Sequence, residues 1–110
     1  MDIIIQSLGF KAGEGLENFT REKLNNLNYD NIVRANVTLY KGPDSNPENN
    51  YCEIRLEIPG NDLFVKKSNV HFETAVTEAS DALEKMLRKE KGRRIDRRRH
   101  AKNGDEEIIP

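Results

Sequence analysis

Residues 51–58 read Tyr-Cys-Glu-Ile-Arg-Leu-Glu-Ile, and the predicted architecture starts from this stretch. Every second side chain is apolar or small, and those between them are polar or aromatic. This two-residue period is typical of a β-strand with one face buried and the other in water. The predicted inward face consists of Cys52, Ile54, Leu56 and Ile58. Such a half-buried sheet needs another layer of structure on its apolar face.

Further strands are predicted on both sides of this stretch. Residues 32–40 alternate in the same way, and residues 42–50 separate the two strands with two prolines and several Asn, Asp and Ser residues, a turn composition. After the stretch, residues 59–62 predict a tight turn and residues 63–67 a short strand. These short connections predict antiparallel neighbours. The inward residues of the preceding strand are Val33, Ala35, Val37 and Leu39.

A first strand and two helices complete the prediction. Residues 2–8 are rich in isoleucine, which predicts a short, largely buried strand. Residues 16–28 place their apolar side chains within an arc of about 140°, as an amphipathic helix does. A second helix is predicted after Ser68 or Asn69, either of which can cap it, with its end at Gly92.

The predicted order of elements is therefore βαβββα. We predict an α+β fold, a two-layer sandwich in which two helices pack on one face of a four-stranded mixed sheet, with the other face in water. The helix between the first two strands predicts a parallel, right-handed crossover.

Charge is distributed very unevenly along the chain. Residues 85–102 contain ten of the 18 Lys and Arg residues but only two acids, Glu90 and Asp96, which gives them a net charge of +8. The remaining residues carry eight basic and 17 acidic side chains, a net charge of −9. We predict one domain at residues 1–91 and a C-terminal tail at residues 92–110. This tail is basic and then acidic, and is predicted to be disordered on its own.

The sequence predicts a soluble cytoplasmic protein. No apolar run approaches the roughly 20 residues that span a bilayer, and the acidic start Met1-Asp2-Ile3 lacks the charge pattern of a secretory signal. Cys52 is the single cysteine, so no internal disulfide is expected and a reducing compartment is the natural setting.

Catalysis and metal binding are not expected. The candidate groups are Cys52, His71 and His100, and neither the spacing of a metal site nor a nucleophile beside an oriented base is present. Cys52 shares the inward parity of its strand, which predicts a buried structural thiol. The glycines at 9, 13 and 15 do not match either phosphate-loop spacing and predict a simple turn. No cofactor and no small-molecule substrate are expected.

The basic segment predicts binding to a polyanion. Lys85, Arg88 and Lys89 fall outside the apolar stripe of the second helix, so they are predicted to form a row of protruding cations. The residues that extend this row are Lys91, Arg93 and Arg94. Lys23 lies within the apolar arc of the first helix, where its stem can pack and its ammonium can reach solvent. Cations often only solvate a surface, but their density here favours an anionic partner. RNA is a better match for this basic segment than duplex DNA, because the sequence has no row of base-reading side chains.

The two helices carry a family resemblance. The first contains the pattern Leu-x-x-Phe-x-x-x-Lys-Leu-x-x-Leu from Leu16 to Leu27, and the second runs from Phe72-Glu73-Thr74-Ala75-Val76 to a basic end. With the βαβββα order, residues 1 to about 94 resemble the ribosome hibernation-promoting factors, which include ribosome-associated inhibitor A. The chain is similar to a short form, without the second domain of long members.

The resemblance implies a translation inhibitor without catalytic activity. It implies binding to the small ribosomal subunit and its RNA near the decoding centre, in the channel for mRNA and tRNA, and a monomer when the protein is off the ribosome. The RNA-binding residues that it implies are Lys23, Lys85, Arg88, Lys89 and Lys91, with Arg93 and Arg94 as an extension. An adaptor that docks an acidic partner through the basic tail and adds a strand at the sheet edge is the alternative.

Overall fold

In a computed structural model, the structure describes the backbone of residues 1–103 and the side chains of residues 1–93. The elements are β1 (Asp2–Leu8), α1 (Glu14–Asn25), β2 (Arg34–Lys41), β3 (Asn50–Ile58), β4 (Asn61–Asn69) and α2 (Phe72–Asn103). The predicted βαβββα order and α+β fold are confirmed. None of these helices has the length and apolar content needed to cross a membrane.

The four strands form one mixed sheet in the order β1-β2-β3-β4. β1 pairs with β2 in parallel, and the two hairpins that follow are antiparallel, as predicted. The β3–β4 hairpin turns through Pro59 and Gly60, and Gly60 has a φ of +82°. Proline followed by a residue with positive φ is the pattern of a type II turn, which glycine adopts without strain.

The core lies between the sheet and the helices. On β2 and β3 the buried side chains have the predicted parity, with Val37 opposite Ile54 in the register. From the helical layer, α1 contributes Leu24 to the core, and α2 contributes Leu83 and other residues of its apolar stripe. Burying a large aliphatic side chain of this kind stabilises the fold by about 1.5–3 kcal/mol. The core residues of α2 are Ala75, Val76, Ala79, Leu83 and Leu87.

The other face of the sheet is in contact with water. Tyr40 and Tyr51 stack across β2 and β3 with ring centroids 5.1 Å apart, and the Lys66 ammonium lies 5.3 Å from the Tyr51 ring centroid. The Tyr40 hydroxyl donates a hydrogen bond of 2.5 Å to Glu53. Phe64 is half exposed beside this cluster. Polar pairs therefore cover much of this face without a second layer of helices.

β1 is less buried than the sequence predicts. It is an edge strand, and Ile4 and Leu8 on its outer face are 51% and 46% exposed. Ile3 and Ile5, on the inner face, are only partly buried. The prediction of a largely buried strand is therefore wrong, because a strand at an edge has one strand neighbour and here one covered face. Val33 is also exposed, since it precedes β2 instead of belonging to its inward face.

α1 is shorter at its C-terminal end than predicted. The helix ends at Asn25, and the Asn26 N–H donates to the carbonyl oxygen of Glu22. Leu27, Tyr29 and Ile32 are nevertheless buried. The apolar residues after Asn25 thus belong to a connecting loop that packs against the core.

Both predicted ends of the second helix are wrong. Ser68 and Asn69 belong to β4 and do not cap the helix, and the Asn69 side-chain oxygen accepts from the Val70 N–H at 2.7 Å. At the other end, α2 continues through Gly92 to Asn103. Lysine and arginine are good helix formers, and one internal glycine costs only about 1 kcal/mol, so Gly92 does not end the helix.

The predicted domain boundary between residues 91 and 92 lies within this continuous helix. Of the predicted disordered tail, residues 92–103 continue the backbone of α2, and residues 104–110 lie outside the described residues. The division into a domain and a tail stays a prediction.

The two helices run in the same direction. Each helix follows a strand and returns along the sheet, and β1 and β4 are both parallel to β2. Phe10, just before α1, stacks on Phe72 at the start of α2, with ring centroids 4.8 Å apart. The C-terminal parts of both helices therefore lie at the same end of the sheet.

Candidate nucleic-acid interface

The outward surface of distal α2 is a continuous set of exposed cations. Leu83, Leu87 and Glu90 face the core and are buried. Successive helical residues differ by about 100°, so Lys85, Arg88 and Lys89 between these three point away from the sheet. Lys85, Arg88, Lys89 and Lys91 are all exposed, as the sequence predicted. We call these four residues the basic ridge.

The basic ridge has two sides. Lys85 lines a groove between α2 and β4, and Lys89 follows it one turn later on the same side. Helical rotation places Arg88 and Lys91 on the opposite side, toward α1, which packs on α2. The ridge can therefore contact anionic groups on both sides of the helix.

Lys23 lies at the same end of the molecule as the basic ridge. It is in the last turn of α1 and is partly buried, next to the fully buried Leu24. Its ammonium lies 5.5 Å from the centroid of the Phe19 ring, a cation–π contact on the helix surface. This matches the predicted packing of its stem. Because α1 and α2 run in the same direction, Lys23 adds a cation at the end of the sheet toward which the basic ridge also lies.

Arg93 is held by a contact within the chain. Its guanidinium donates a hydrogen bond of 2.9 Å to the Glu90 carboxylate. Glu90 is only 8% exposed and also accepts a hydrogen bond of 3.4 Å from Asn61 at the start of β4. An RNA phosphate would compete with Glu90 for Arg93, so Arg93 is a weaker candidate than the basic ridge. The backbone of Arg94 is part of α2, and its side chain lies outside the part of the chain with described side chains.

Two residues of this region were missed by the sequence prediction. Glu90 follows Leu83 by seven positions and Leu87 by three, so the helical stripe could have identified it as core-facing. Lys67 shares the groove with Lys85, although 18 residues separate them in the chain. No local pattern identifies that neighbour, because their proximity depends on how α2 packs against β4.

The other reactive groups form no site within the described residues. Cys52 is fully buried, and this burial, with a smaller effect of the Glu53 charge, raises the pKa of its thiol to about 12. The prediction of a structural thiol is confirmed. His71 is exposed, and no group of three or more potential metal ligands occurs in the part of the chain with described side chains. The His100 side chain lies outside that part.

Comparison with known proteins shows similarity to one protein family. Residues 3–95 match the family model described as Sigma 54 modulation protein / S30EA ribosomal protein. A Ribosome hibernation promotion factor from Deinococcus radiodurans is 32% identical over 92 residues, which are 81% of this chain and 48% of the relative. The chain thus spans about half the length of that curated relative.

Two solved structures share the fold. A ribosomal subunit interface protein from Coxiella burnetii has a TM-score of 0.76 at 19% identity, over 84% of this chain and 99% of that one. The N-terminal domain of Protein Y from Thermus thermophilus has a TM-score of 0.69 at 21% identity, over 81% of this chain and 98% of that one. At these identities the similarity establishes the βαβββα architecture.

Proposed function

The chain belongs to the family described as Sigma 54 modulation protein / S30EA ribosomal protein, and from this membership we propose that it is a ribosome-associated translation inhibitor. It binds the small ribosomal subunit near the decoding centre, blocks the mRNA and tRNA sites and promotes ribosome hibernation. The name of the Deinococcus relative supports the hibernation role, and that of the Coxiella protein supports binding at a ribosomal subunit interface. The inhibitor acts in the cytoplasm, as a monomer before it binds, and by occupancy instead of catalysis.

The observation that carries this proposal is the basic ridge on a helix anchored in the core. Its four cations are exposed, while Leu83 and Leu87 on the same helix are buried, so the packed helix fixes the backbone positions from which the cations extend. Structured RNA is recognised largely through phosphates and shape, which such a rigid cationic surface fits. Lys23 adds a further contact from α1.

Co-sedimentation with ribosomes tests the proposal. The wild-type protein is expected to pellet stoichiometrically with ribosomes at physiological salt. Lys85→Glu combined with Arg88→Glu is expected to lower the affinity by about 100-fold, because it replaces two phosphate contacts with repulsion. Circular dichroism should show unchanged folding, since both side chains are exposed. Protection of small-subunit RNA from chemical probes would locate the site.

A matched control uses two cations at the opposite end of the sheet. Lys11→Glu combined with Lys41→Glu changes the net charge equally, and both side chains are exposed. This variant should bind ribosomes nearly as well as the wild type. If both double variants bound like the wild type, the basic ridge would not be the interface. If the wild type did not pellet, the proposed function itself would be wrong.

The adaptor alternative rests on the exposed edges of the sheet. Within the described residues, β1 and β4 each have one strand neighbour, so either edge could accept a strand from a partner. Nuclease treatment separates the two functions. A partner complex that survives RNase, together with absence of ribosome binding, would favour the adaptor.

A further inference from the structure

A groove of about 490 Å³ lies between α2 and the exposed edge strand β4. It begins beside the basic ridge, because Lys85 belongs to both. The residues that line it are Lys67, Glu78, Asp81, Ala82, Lys85 and Met86.

This groove combines three kinds of chemistry. Ala82 and Met86 are partly buried and form an apolar floor. Lys67 and Lys85 supply cations, and Glu78 and Asp81 supply carboxylates. All four charged residues are exposed. Among the described residues, ion pairs within 4.0 Å join Arg34 to Glu57 and Arg93 to Glu90, so the charges of the groove are not paired with one another.

A phosphate alone is a poor match for this groove, since the two carboxylates would repel it. The better match has a flat apolar face, an anionic group and adjacent N–H donors. Asp81 and Lys85 are one helical turn apart, which is about 6 Å along the axis. The carboxylate and ammonium are thus spaced to engage different parts of one small group.

We infer that this groove binds an unpaired guanosine nucleotide of the RNA that the basic ridge contacts, an inference that rests on the proposed function. Guanine presents an imino N–H and an amino group side by side, and one carboxylate can accept from both. Adenine and cytosine each offer only an amino group on that edge, and uracil only an imino N–H. Unpaired RNA bases are commonly read on this edge while one ring face packs on a side chain.

The groove residues have separate roles in this binding. The base lies on Met86 and Ala82, with its donor edge toward Asp81 or Glu78. The lysines bind the flanking phosphates. The basic ridge thus supplies affinity for RNA in general, and the groove adds selectivity for one unpaired base.

Nuclear magnetic resonance with 5′-GMP tests the inference on the ¹⁵N-labelled full chain. Amide shifts are expected for Lys67 and for residues 78–86. Inosine 5′-monophosphate, which lacks the amino group, should bind about fivefold to tenfold more weakly, since it loses one hydrogen bond to a charged acceptor. Equal affinity for the two nucleotides, or shifts confined to other regions, would overturn the inference.

Carboxylate variants give a second test with an informative sign. Glu78→Gln combined with Asp81→Asn adds two units of positive charge, which alone would strengthen binding to RNA. We expect the opposite, namely lost GMP preference and threefold to tenfold weaker ribosome binding. The control, Glu22→Gln with Glu73→Gln, makes the same charge change at exposed positions outside the groove and should not weaken ribosome binding.

The nucleotide titrations and the ribosome-binding measurements together distinguish failure of the groove inference from failure of the proposed function. Wild-type pelleting without GMP shifts would overturn the groove inference and leave the proposed function intact. GMP binding with unchanged pelleting of the carboxylate variant would assign the groove to free nucleotides and overturn the RNA inference. Weaker pelleting of that variant without any GMP binding would point to a protein segment as the occupant. Loss of wild-type pelleting would refute the proposed function.

Discussion

Cys52 shows how strongly the core controls a single side chain. It is fully buried on the inner face of β3, and burial raises its pKa to about 12. Alkylating reagents attack the thiolate, which the folded protein does not form at ordinary pH. We therefore expect native Cys52 to resist iodoacetamide at pH 8.5 and to react fully in concentrated urea. Mass spectrometry after timed quenching would measure this, and rapid native labelling would contradict the structure.

The same thiol predicts a pH dependence of stability. In the unfolded chain it ionises near its ordinary pKa of 9.0, whereas in the folded chain it remains protonated until about pH 12. The unfolded state thus binds fewer protons between these values, and the free energy of unfolding falls by up to about 1.4 kcal/mol per pH unit. Urea unfolding of the wild type and Cys52→Ala from pH 8 to 11 would show a smaller decline for the variant. Parallel declines would contradict the prediction.

Residue-level prediction succeeded for burial parity and was less complete for the interface. Cys52 and the exposed Lys85 follow from periodicity alone. That Arg93 pairs with Glu90 depends on side-chain geometry, since both the Asn61 contact and core packing hold the carboxylate there. Lys67 joins the groove only because β4 and α2 pack together. Contacts between distant parts of the chain are not encoded in any local pattern.

At the element scale, α2 continues through a residue that usually weakens helices. Gly92 has no positive φ, and a Cβ added there would meet nothing within 4 Å apart from its chain neighbours and the backbone of its own helix. The pair between Glu90 and Arg93 spans this position on the helix surface. Gly92 therefore lies in an ordinary helical conformation and not in a left-handed helix end.

Gly92→Ala is accordingly expected to stabilise the protein. Alanine favours a helix interior over glycine by about 0.5–1 kcal/mol, and the site has room for the methyl group. Urea unfolding should give a higher midpoint, and far-ultraviolet circular dichroism should show equal or greater helix content. Gly60→Ala is the contrasting control, because its φ of +82° makes a side chain strained there. Destabilisation by Gly92→Ala would mean that the helix ends at this glycine.

The elements also show what sequence patterns can and cannot predict. Alternation located β2 and β3 because one face of each is buried and the other is wet. The alternation does not predict that β1 is an edge strand, since edge position depends on the order of strands in the sheet. The predicted end of α2 at Gly92 is wrong because the helix-forming Lys and Arg residues around this glycine offset its small cost.

At the scale of the whole molecule, the charge is strongly separated along the chain. The +8 segment includes the basic ridge, and the rest of the chain is at −9, so the molecule as a whole is nearly neutral. The proposed affinity for RNA would thus depend on local phosphate contacts and not on net charge. With roughly six contacts, raising monovalent salt from 50 to 200 mM should weaken ribosome binding by about 10³-fold.

Single neutralisations should change this salt dependence in a position-specific way. Lys89→Gln removes one cation of the basic ridge, so the slope of log affinity against log salt should decrease by about 1. Lys66→Gln removes a cation from the water-facing side of the sheet and should leave the slope unchanged. Magnesium is held constant while binding is measured by co-sedimentation. Salt-independent binding, or equal slopes for all three proteins, would contradict an interface built on phosphate contacts.

The parallel arrangement of α1 and α2 has a kinetic consequence. Both helix dipoles point the same way, and Lys23, in the last turn of α1, lies at the negative C-terminal pole of that helix and offsets it. Acids cluster in the opposite first turns, at Glu14 and Glu17 in α1 and at Glu73 in α2. If the chain binds RNA as proposed, the phosphate field would therefore exert a torque on the approaching protein and turn the end that carries the basic ridge toward the RNA. In the proposed complex, acidic residues outside the interface would thereby contribute to the association rate, because they disfavour approach by the opposite end of the molecule.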